Sequence, residues 1–422
     1  MVLVVGAGPA GATAARGLAR AGVTVRLLDR SNFPRNKPCG GGLSIRVLKR
    51  FPYLDRELGR IATHRVSRLH LEGPHGESTI VESRDPAALL IRRYEFDALL
   101  VSLAVEAGAE LVTGADIVRA SATGGAVSLV ARDGRRFEAP VVIAADGVHS
   151  VVGRRLGINP GWPAARIALD MMEETPRTEL REVDPTALWV AYGFSPRGAE
   201  DADGGGKNGS SAAEGYAYVF PKRDHVNVGV GYVLDHFRRE IDAPPYELQR
   251  GFVEHLKRRG VVEGNSVEDN FTPFLIPVGG PLRTPGRGGV LLAGDAGGFV
   301  NGVTAEGIYY AMVSGDLAAR AVIDTAPNAE STLAARYTRA CDAEIGAELR
   351  DSVRIQRYLF ADRRRIATVV KAAGRERKLR ELILEFVMGG MTYRGLRRRM
   401  MAAAPLLAVR IAWERIRHGH HA

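Results

Sequence analysis

Residues 2–5, 141–145 and 290–293 carry no polar side chain, and 23–28 carries only two. Short runs of this kind predict strands buried on both faces, the habit of a parallel sheet. The segment 12–21, rich in small residues, predicts a helix between the first two strands. Farther along, 65–71, 167–172, 188–194, 216–220 and 226–232 read as short alternating strands, which predicts an antiparallel sheet. The Gly-, Ser- and Asp-rich stretch 196–214 predicts a loop joining two of them. Residues 331–421 read as helices. The chain thus predicts an α/β molecule of interleaved parts. A parallel-sheet domain draws on 1–60, 85–155 and 275–325, an antiparallel-sheet domain on 61–84 and 156–274, and a helical region covers 326–422.

The first apolar run leads into Gly6-Ala-Gly8-Pro9-Ala10-Gly11. Glycines at this spacing between strand and helix have separate tasks. Gly6 permits a tight turn, Gly8 lets backbone approach a pyrophosphate, and Gly11 lets the helix pack closely on the strand. Amides at the helix N-terminus then face the phosphate charge. Asp29, with Arg30 beside it, ends the second strand about 20 residues on, where a carboxylate meets ribose hydroxyls. Turn, flanks and acid predict a Rossmann-like dinucleotide site, but they do not separate NAD from FAD.

Two later segments make that choice. The run at 141–145 passes into Asp146-Gly147-Val-His-Ser150, and the run at 290–293 into Gly294-Asp295-Ala-Gly-Gly298. With the first turn, these resemble the three FAD motifs of the flavin monooxygenase-like superfamily. The resemblance implies FAD as cofactor, with Asp295 on its ribitol and Arg93, four residues before Asp97, in contact with it. Gly302-Val-Thr-Ala305-Glu306-Gly307 then opens an apolar helix at Ile308. A helix N-terminus there predicts stabilisation of negative charge at the N1/O2 edge of a reduced flavin.

Two further segments resemble one branch of that superfamily, the geranylgeranyl reductase family. They are Phe33-Pro-Arg-Asn-Lys37-Pro-Cys39-Gly40-Gly41-Gly42, and Tyr216-Ala-Tyr218-Val-Phe220-Pro221 followed by Gly229-Val-Gly231. The resemblance runs to about residue 320 and implies saturation of isoprenoid double bonds, with Cys39 near the isoalloxazine ring. It places Tyr216, Tyr218, Phe220, Pro221, Gly229 and Gly231 at the isoprenoid. The family's second motif usually has tryptophan where Tyr218 stands. On physical grounds, three aromatics at period two share one strand face, and Pro221 suits a strand end. Cys39 sits in a glycine-rich turn that can approach a ligand and is the candidate catalytic residue, as proton donor or gate. An unactivated alkene needs a hydride on one carbon, a proton on the other, and a dry pocket.

The rivals are an FAD-dependent hydroxylase or halogenase, and a non-catalytic prenyl-lipid binding protein. The Trp-x-Trp-x-Ile-Pro segment of halogenases is absent. No second Gly-x-Gly-x-x-Gly turn follows a strand, so the electron donor stays open among NADPH, a ferredoxin and another redox partner.

Charge adds a partner. The chain carries 58 Lys+Arg and 48 Asp+Glu, and from Glu330 onward the counts are 20 and 10, so the whole surplus lies in the last quarter. Arginines at 363–365, 375–380 and 397–399 flank apolar stretches, including 400–413 with Trp413. This predicts basic amphipathic helices that meet a membrane surface carrying the lipid substrate. Nucleic acid is not expected, since no nucleic-acid motif accompanies the charge. Two cysteines, Cys39 and Cys341, exclude a disulfide framework, a zinc cluster and an iron–sulfur cluster. No metal site is expected, and His418, His420 and His421 read as a frayed terminus. No apolar run reaches bilayer length, and the opening residues lack the pattern of a secretory signal. The expected location is cytoplasmic, peripheral to the membrane face.

Overall fold

The computed structural model describes residues 1–194, 212–241, 243–325, 330–387, 395 and 398–399. Most of the loop predicted at 196–214 lies outside the described residues, as do Arg397, the stretch 400–413 and the three terminal histidines.

The apolar runs build a six-stranded sheet from β1 (Val2–Val5), β2 (Val25–Leu28), β8 (Glu110–Val112), β12 (Val141–Ala144), β20 (Gly286–Arg287) and β21 (Val290–Leu292), in the order β20-β21-β12-β1-β2-β8. Every pairing is parallel except the β20–β21 edge. Both faces are covered, which is why β1 is buried at all four positions. Val2 and Val4 pack with the helices Pro9–Arg20, Arg93–Glu106 and Ile308–Ile323. Leu3 and Val5 pack on the other side with β9 (Ile117–Thr123), β10 (Ala126–Ala131) and β11 (Arg136–Ala139), a small antiparallel meander.

The second large sheet contains β5 (Arg68–Glu72), β6 (Ser78–Glu82), β13 (Ala168–Pro176), β15 (Ala187–Tyr192), β16 (Gly215–Pro221), β17 (His225–Val233) and β19 (Phe271–Ile276), ordered β19-β13-β17-β16-β15-β5-β6. It is antiparallel as expected, apart from β15 and β5, which pair in parallel. One face carries Trp189, Val219, Val228 and Val230 against Leu248, Phe252 and Leu256 of the helix Pro245–Arg258. The opposite face carries Leu69, Leu71, Leu188, Val190 and Tyr218, and looks toward the cofactor-type domain.

A single strand at 65–71 is not what forms. The chain breaks at Ser67 into β4 (Thr63–Val66) and β5, and β4 joins β3 (Gly42–Ser44) and β7 (Ala88–Ile91) in a separate sheet. The break falls where the alternation slips phase: Val66 is buried, Ser67 and Arg68 are both partly exposed, and burial resumes at Leu69 and Leu71. The remaining strands, β14 (Leu180–Glu182) and β18 (Val262–Gly264), form a two-stranded ribbon.

Past residue 330 come the helices Glu330–Cys341, Ala347–Phe360, Arg363–Arg375 and Arg377–Val387. The third buries Ile366, Ala367, Val370 and Ala373. Its apolar face is therefore spent inside the protein, beside Phe360 and Ala213. Among the described residues no helix is long and apolar enough to cross a membrane.

Candidate functional site

One cavity of about 1170 Å³ runs from the β1 turn, beneath the glycine-rich 36–42 segment, to the inner face of the large sheet. Drug-sized ligands occupy about 300–1,000 Å³, so the space accommodates an extended dinucleotide with room beyond it. The predicted residues that line it include Gly6, Gly8, Pro9, Ala10, Asp29, Cys39, Gly40, Gly41, Arg93, Asp146, Gly147, Gly294 and Asp295. Arg30 is exposed at its rim. Ala305, Glu306, Gly307 and Ile308 contribute the far wall, and Tyr216, Tyr218 and Phe220 the sheet side.

At the turn, Gly6 has φ +92°, and a β-carbon there would lie 2.3 Å from the Ala145 carbonyl oxygen. The Asp29 carboxylate accepts hydrogen bonds from the Ala7 amide (2.7 Å) and the Ser31 amide (2.8 Å), which fixes it at the end of β2. Gly8 is different: a β-carbon would meet nothing closer than 3.7 Å, and would project toward the cavity.

Arg93 is the first residue of its helix and is buried. Its guanidinium donates to both oxygens of fully buried Asp97, at 2.6 and 2.7 Å, and Arg35 reaches the same carboxylate at 3.1 Å. Burial opposes the charge, yet Asp97 and the neighbouring Cys39 thiol hold the Arg93 pKa above its ordinary value. Cys39 is half-buried and its Sγ accepts the Gly41 amide at 3.4 Å. Lys37 lies over the Phe274 ring at 4.1 Å. Burial, and then Arg93, push its pKa down, while Asp295 and Asp97 oppose the shift. Desolvation raises the pKa of Asp295 against the pull of Lys37 and Arg93.

On the sheet side the three aromatics form a ladder along β16, with ring centroids 6.0 Å apart for Tyr216–Tyr218 and 4.7 Å for Tyr218–Phe220. Gly40 exists because Phe220 lies against it; a β-carbon would come within 2.9 Å of that ring. Tyr218 donates to Asp170 at 3.0 Å, and Tyr216 donates to the Thr304 carbonyl at 2.7 Å.

Five predicted residues do not line the cavity. Gly11 packs the helix on the strand, where a β-carbon would sit 1.8 Å from the Gly6 oxygen. Gly302 gives its amide to Ser352 (2.8 Å), and Pro221 ends β16. Gly229 and Gly231 are moved from substrate contact to support. A β-carbon on Gly229 would fall 2.5 Å from the Tyr218 hydroxyl, and one on Gly231 would fall 3.4 Å from Asp170 Oδ1. Their missing side chains make room for that pair on the neighbouring strands.

Two site features escaped the sequence. Asp170 interrupts an apolar strand, and that interruption was its only signal. Arg46 donates to Glu348 at 2.8 Å and lies 3.8 Å from Glu306, while Tyr310 also donates to Glu348 at 2.8 Å. Arg46 lies 260 positions from Glu306 and 302 from Glu348, beyond any local pattern.

Buried polar atoms test whether FAD suits this chamber. Asp146 Oδ1, Ser44 Oγ and Arg46 Nε are buried without a protein partner, and all three residues line the cavity. Burial also raises the Asp146 pKa, although Ser150 and the Val152 amide hold its other side. A polar ligand of dinucleotide length answers these groups, and the residues fit.

A family model for an FAD binding domain matches residues 1–199. The chain is 33% identical over 335 residues to digeranylgeranylglycerophospholipid reductase 1 of Methanopyrus kandleri, covering 76% of this chain and 80% of that protein. It is 32% identical over 349 residues to menaquinone reductase of Mycobacterium tuberculosis, covering 80% of each. Among solved structures, a geranylgeranyl bacteriochlorophyll reductase-like protein of Thermoplasma acidophilum superposes with a TM-score of 0.74 at 21% identity, covering 95% of this chain and 98% of that one.

Proposed function

The chain belongs to the geranylgeranyl reductase family of FAD-dependent oxidoreductases, and on that premise we propose that it saturates carbon–carbon double bonds of an isoprenoid chain. The observation that carries this reading is the continuity of the cavity. One end has the fittings of a dinucleotide site, the other is walled by Leu69, Leu71, Leu188, Val190 and the aromatic ladder, and Cys39–Gly42 lies between them.

FAD, when bound, supplies the hydride. The turn at Gly6–Gly11 and the amides of the following helix would take its pyrophosphate, Asp29 the ribose, and Asp295 the ribitol. Arg93, fixed by Asp97, puts an immobile positive charge beside Cys39. The large-sheet residues that line the cavity are apolar apart from Asp170 and the tyrosines, a surface that excludes water and suits a polyprenyl chain. The names of the two sequence relatives describe reductases of a diprenylated phospholipid and a prenylated quinone. A long isoprenoid chain on a polar head is therefore the substrate class assigned here.

The electron donor is assigned to an external reductant, NADPH or a redox partner protein, that meets the flavin transiently. Contact with a membrane surface is assigned to the basic tail. Since the Arg363–Arg375 helix buries its apolar face, that contact rests on its arginines.

The test is anaerobic. Enzyme reduced with dithionite is mixed with a geranylgeranylated lipid, and flavin absorbance and product mass are followed. Reoxidation is expected, with product heavier by two hydrogens per bond reduced. A flavin that stays reduced with every prenyl substrate, yet is reoxidised by air with an oxygenated product, would make the protein a hydroxylase instead.

A further inference from the structure

Saturation requires a proton as well as a hydride, and among the described residues of the large sheet that line the cavity, Asp170 is the carboxylic acid. Asp170 lies on β13, its carboxylate under the aromatic ladder, 6% exposed and 3.0 Å from the Tyr218 hydroxyl. Its other oxygen, Oδ1, is buried with no hydrogen-bond partner. Both residues line the cavity. Such an arrangement costs stability, since a buried polar atom without a partner is normally avoided. The two glycines of β17 that make space for it, Gly229 and Gly231, are among the segments by which the chain resembles its family.

We propose that Tyr218 donates the proton in alkene saturation and that Asp170 replenishes it, so that Tyr218 is a catalytic residue and Asp170 its positioning and proton-supplying partner. This inference rests on the isoprenoid-reductase reading above. In the carboxylate form, Tyr218 donates to Asp170. In the acid form the same contact runs the other way, Asp170 donating to the phenol oxygen, and the phenol O–H is free to turn into the cavity. As hydride reaches the more substituted alkene carbon, the phenol O–H bond breaks and a C–H bond forms at the other carbon. In the same step the Asp170 O–H restores the phenol and leaves a carboxylate. One hydride and one proton enter the substrate, and solvent reprotonates Asp170 between turnovers.

The surroundings suit a group that must hold a proton and then release it. Burial pushes the Asp170 pKa up to about 6, with Tyr218 and Lys37 opposing the rise. Lys37, from the glycine-rich segment, is the cation that faces the carboxylate once the proton has left. Tyr216 and Cys39 are the other titratable groups near Tyr218, whereas β17 and β19 present Gly231 and Phe274 opposite Asp170. Desolvation keeps the Tyr218 pKa well above the ordinary phenol value, so the phenol transfers its proton only as Asp170 returns one. Tryptophan, usual at position 218 in the family, has an N–H in place of this exchangeable O–H; the substitution is what gives Asp170 a partner that can relay.

Asp170→Asn, Tyr218→Phe, Tyr218→Trp and Cys39→Ser are compared with wild type in anaerobic single-turnover reoxidation by a geranylgeranylated lipid, from pH 5 to 9. A general acid contributes about 10²–10⁴-fold, so Asp170→Asn, Tyr218→Phe and Tyr218→Trp are each expected to slow reoxidation at least 100-fold. Wild type should lose rate as pH rises through the Asp170 pKa, and Asp170→Asn should lose that pH dependence. A second measurement needs no turnover: infrared difference spectra of the FAD-free protein should contain a protonated carboxyl band at pH 5 that fades by pH 8 and is missing in Asp170→Asn. Retention of rate within threefold by Tyr218→Phe or Tyr218→Trp, or loss of the pH dependence only in Cys39→Ser, overturns the assignment. So does absence of the infrared band. If wild-type flavin is not reoxidised by any prenyl lipid, the proposed function itself fails, and this assignment with it.

Discussion

Gly8→Ala is expected to leave a folded protein that no longer retains FAD, whereas Gly6→Ala is expected not to fold stably at all. The two glycines belong to one motif and lie two residues apart, yet their surroundings differ. At Gly6 an added methyl meets the Ala145 carbonyl at 2.3 Å, on a residue with φ +92°. Both the contact and the backbone resist it, and the cost is about 3 kcal/mol or more from overpacking and strain together. At Gly8, φ is −73°, a conformation open to alanine, and no atom lies within 3.7 Å of the new methyl. The methyl instead takes the space through which a pyrophosphate approaches the helix amides. FAD affinity should fall about 100-fold, or ~2.7 kcal/mol, with little change in the unfolding midpoint of the FAD-free protein. Flavin titration and denaturant unfolding of both variants decide the matter. Equal loss of stability in the two would mean that Gly8 serves packing alone.

Asp97→Ala should be the most destabilising single change at the arginine cluster. Asp97 is fully buried and neutralises Arg93 through two hydrogen bonds, with Arg35 as a third contact. Removing one partner of a buried ion pair costs about 3–5 kcal/mol, because the remaining charge is left without compensation. Arg93 also loses its orientation at the cavity wall, so flavin affinity should fall in the same variant. Denaturant titration of the FAD-free protein measures the first effect. A loss below about 1 kcal/mol would show that water reaches Arg93 and that the pair is not sealed.

What the sequence made legible was whatever depends on near neighbours. The glycine turn, the strand ends at Asp29, Asp146 and Asp295, and the shared face of Tyr216, Tyr218 and Phe220 all follow from spacings of a few residues, and the α/β architecture follows from them. Long-range pairings were not legible. Residues 65–71 slip phase at Ser67–Arg68, yet nothing local says that Val66 and Leu69 then belong to different sheets. Gly229 and Gly231 were recognisable as a motif, but their service to Tyr218 and Asp170 depends on strand register across β17, β16 and β13. The Arg46–Glu348 contact spans 302 positions. No periodicity encodes a partner at that distance; only the folded arrangement brings it near.

The order of the parallel sheet bears on how the protein is made. β1 is synthesised before its sheet partners: its neighbour β12 begins at Val141 and the strand beyond, β21, at Val290. The loop at Gly302 is then pinned by Ser352. At about 5–20 residues per second, roughly 20–70 s separate synthesis of the phosphate turn from that of the serine that closes the opposite wall. For roughly the first 135 residues of that interval the wholly apolar β1 waits without its β12 neighbour, and β12 then waits for β21. Cofactor capture is thus a late event in biogenesis, and nascent chains stalled before residue 290 should engage holdase chaperones rather than flavin.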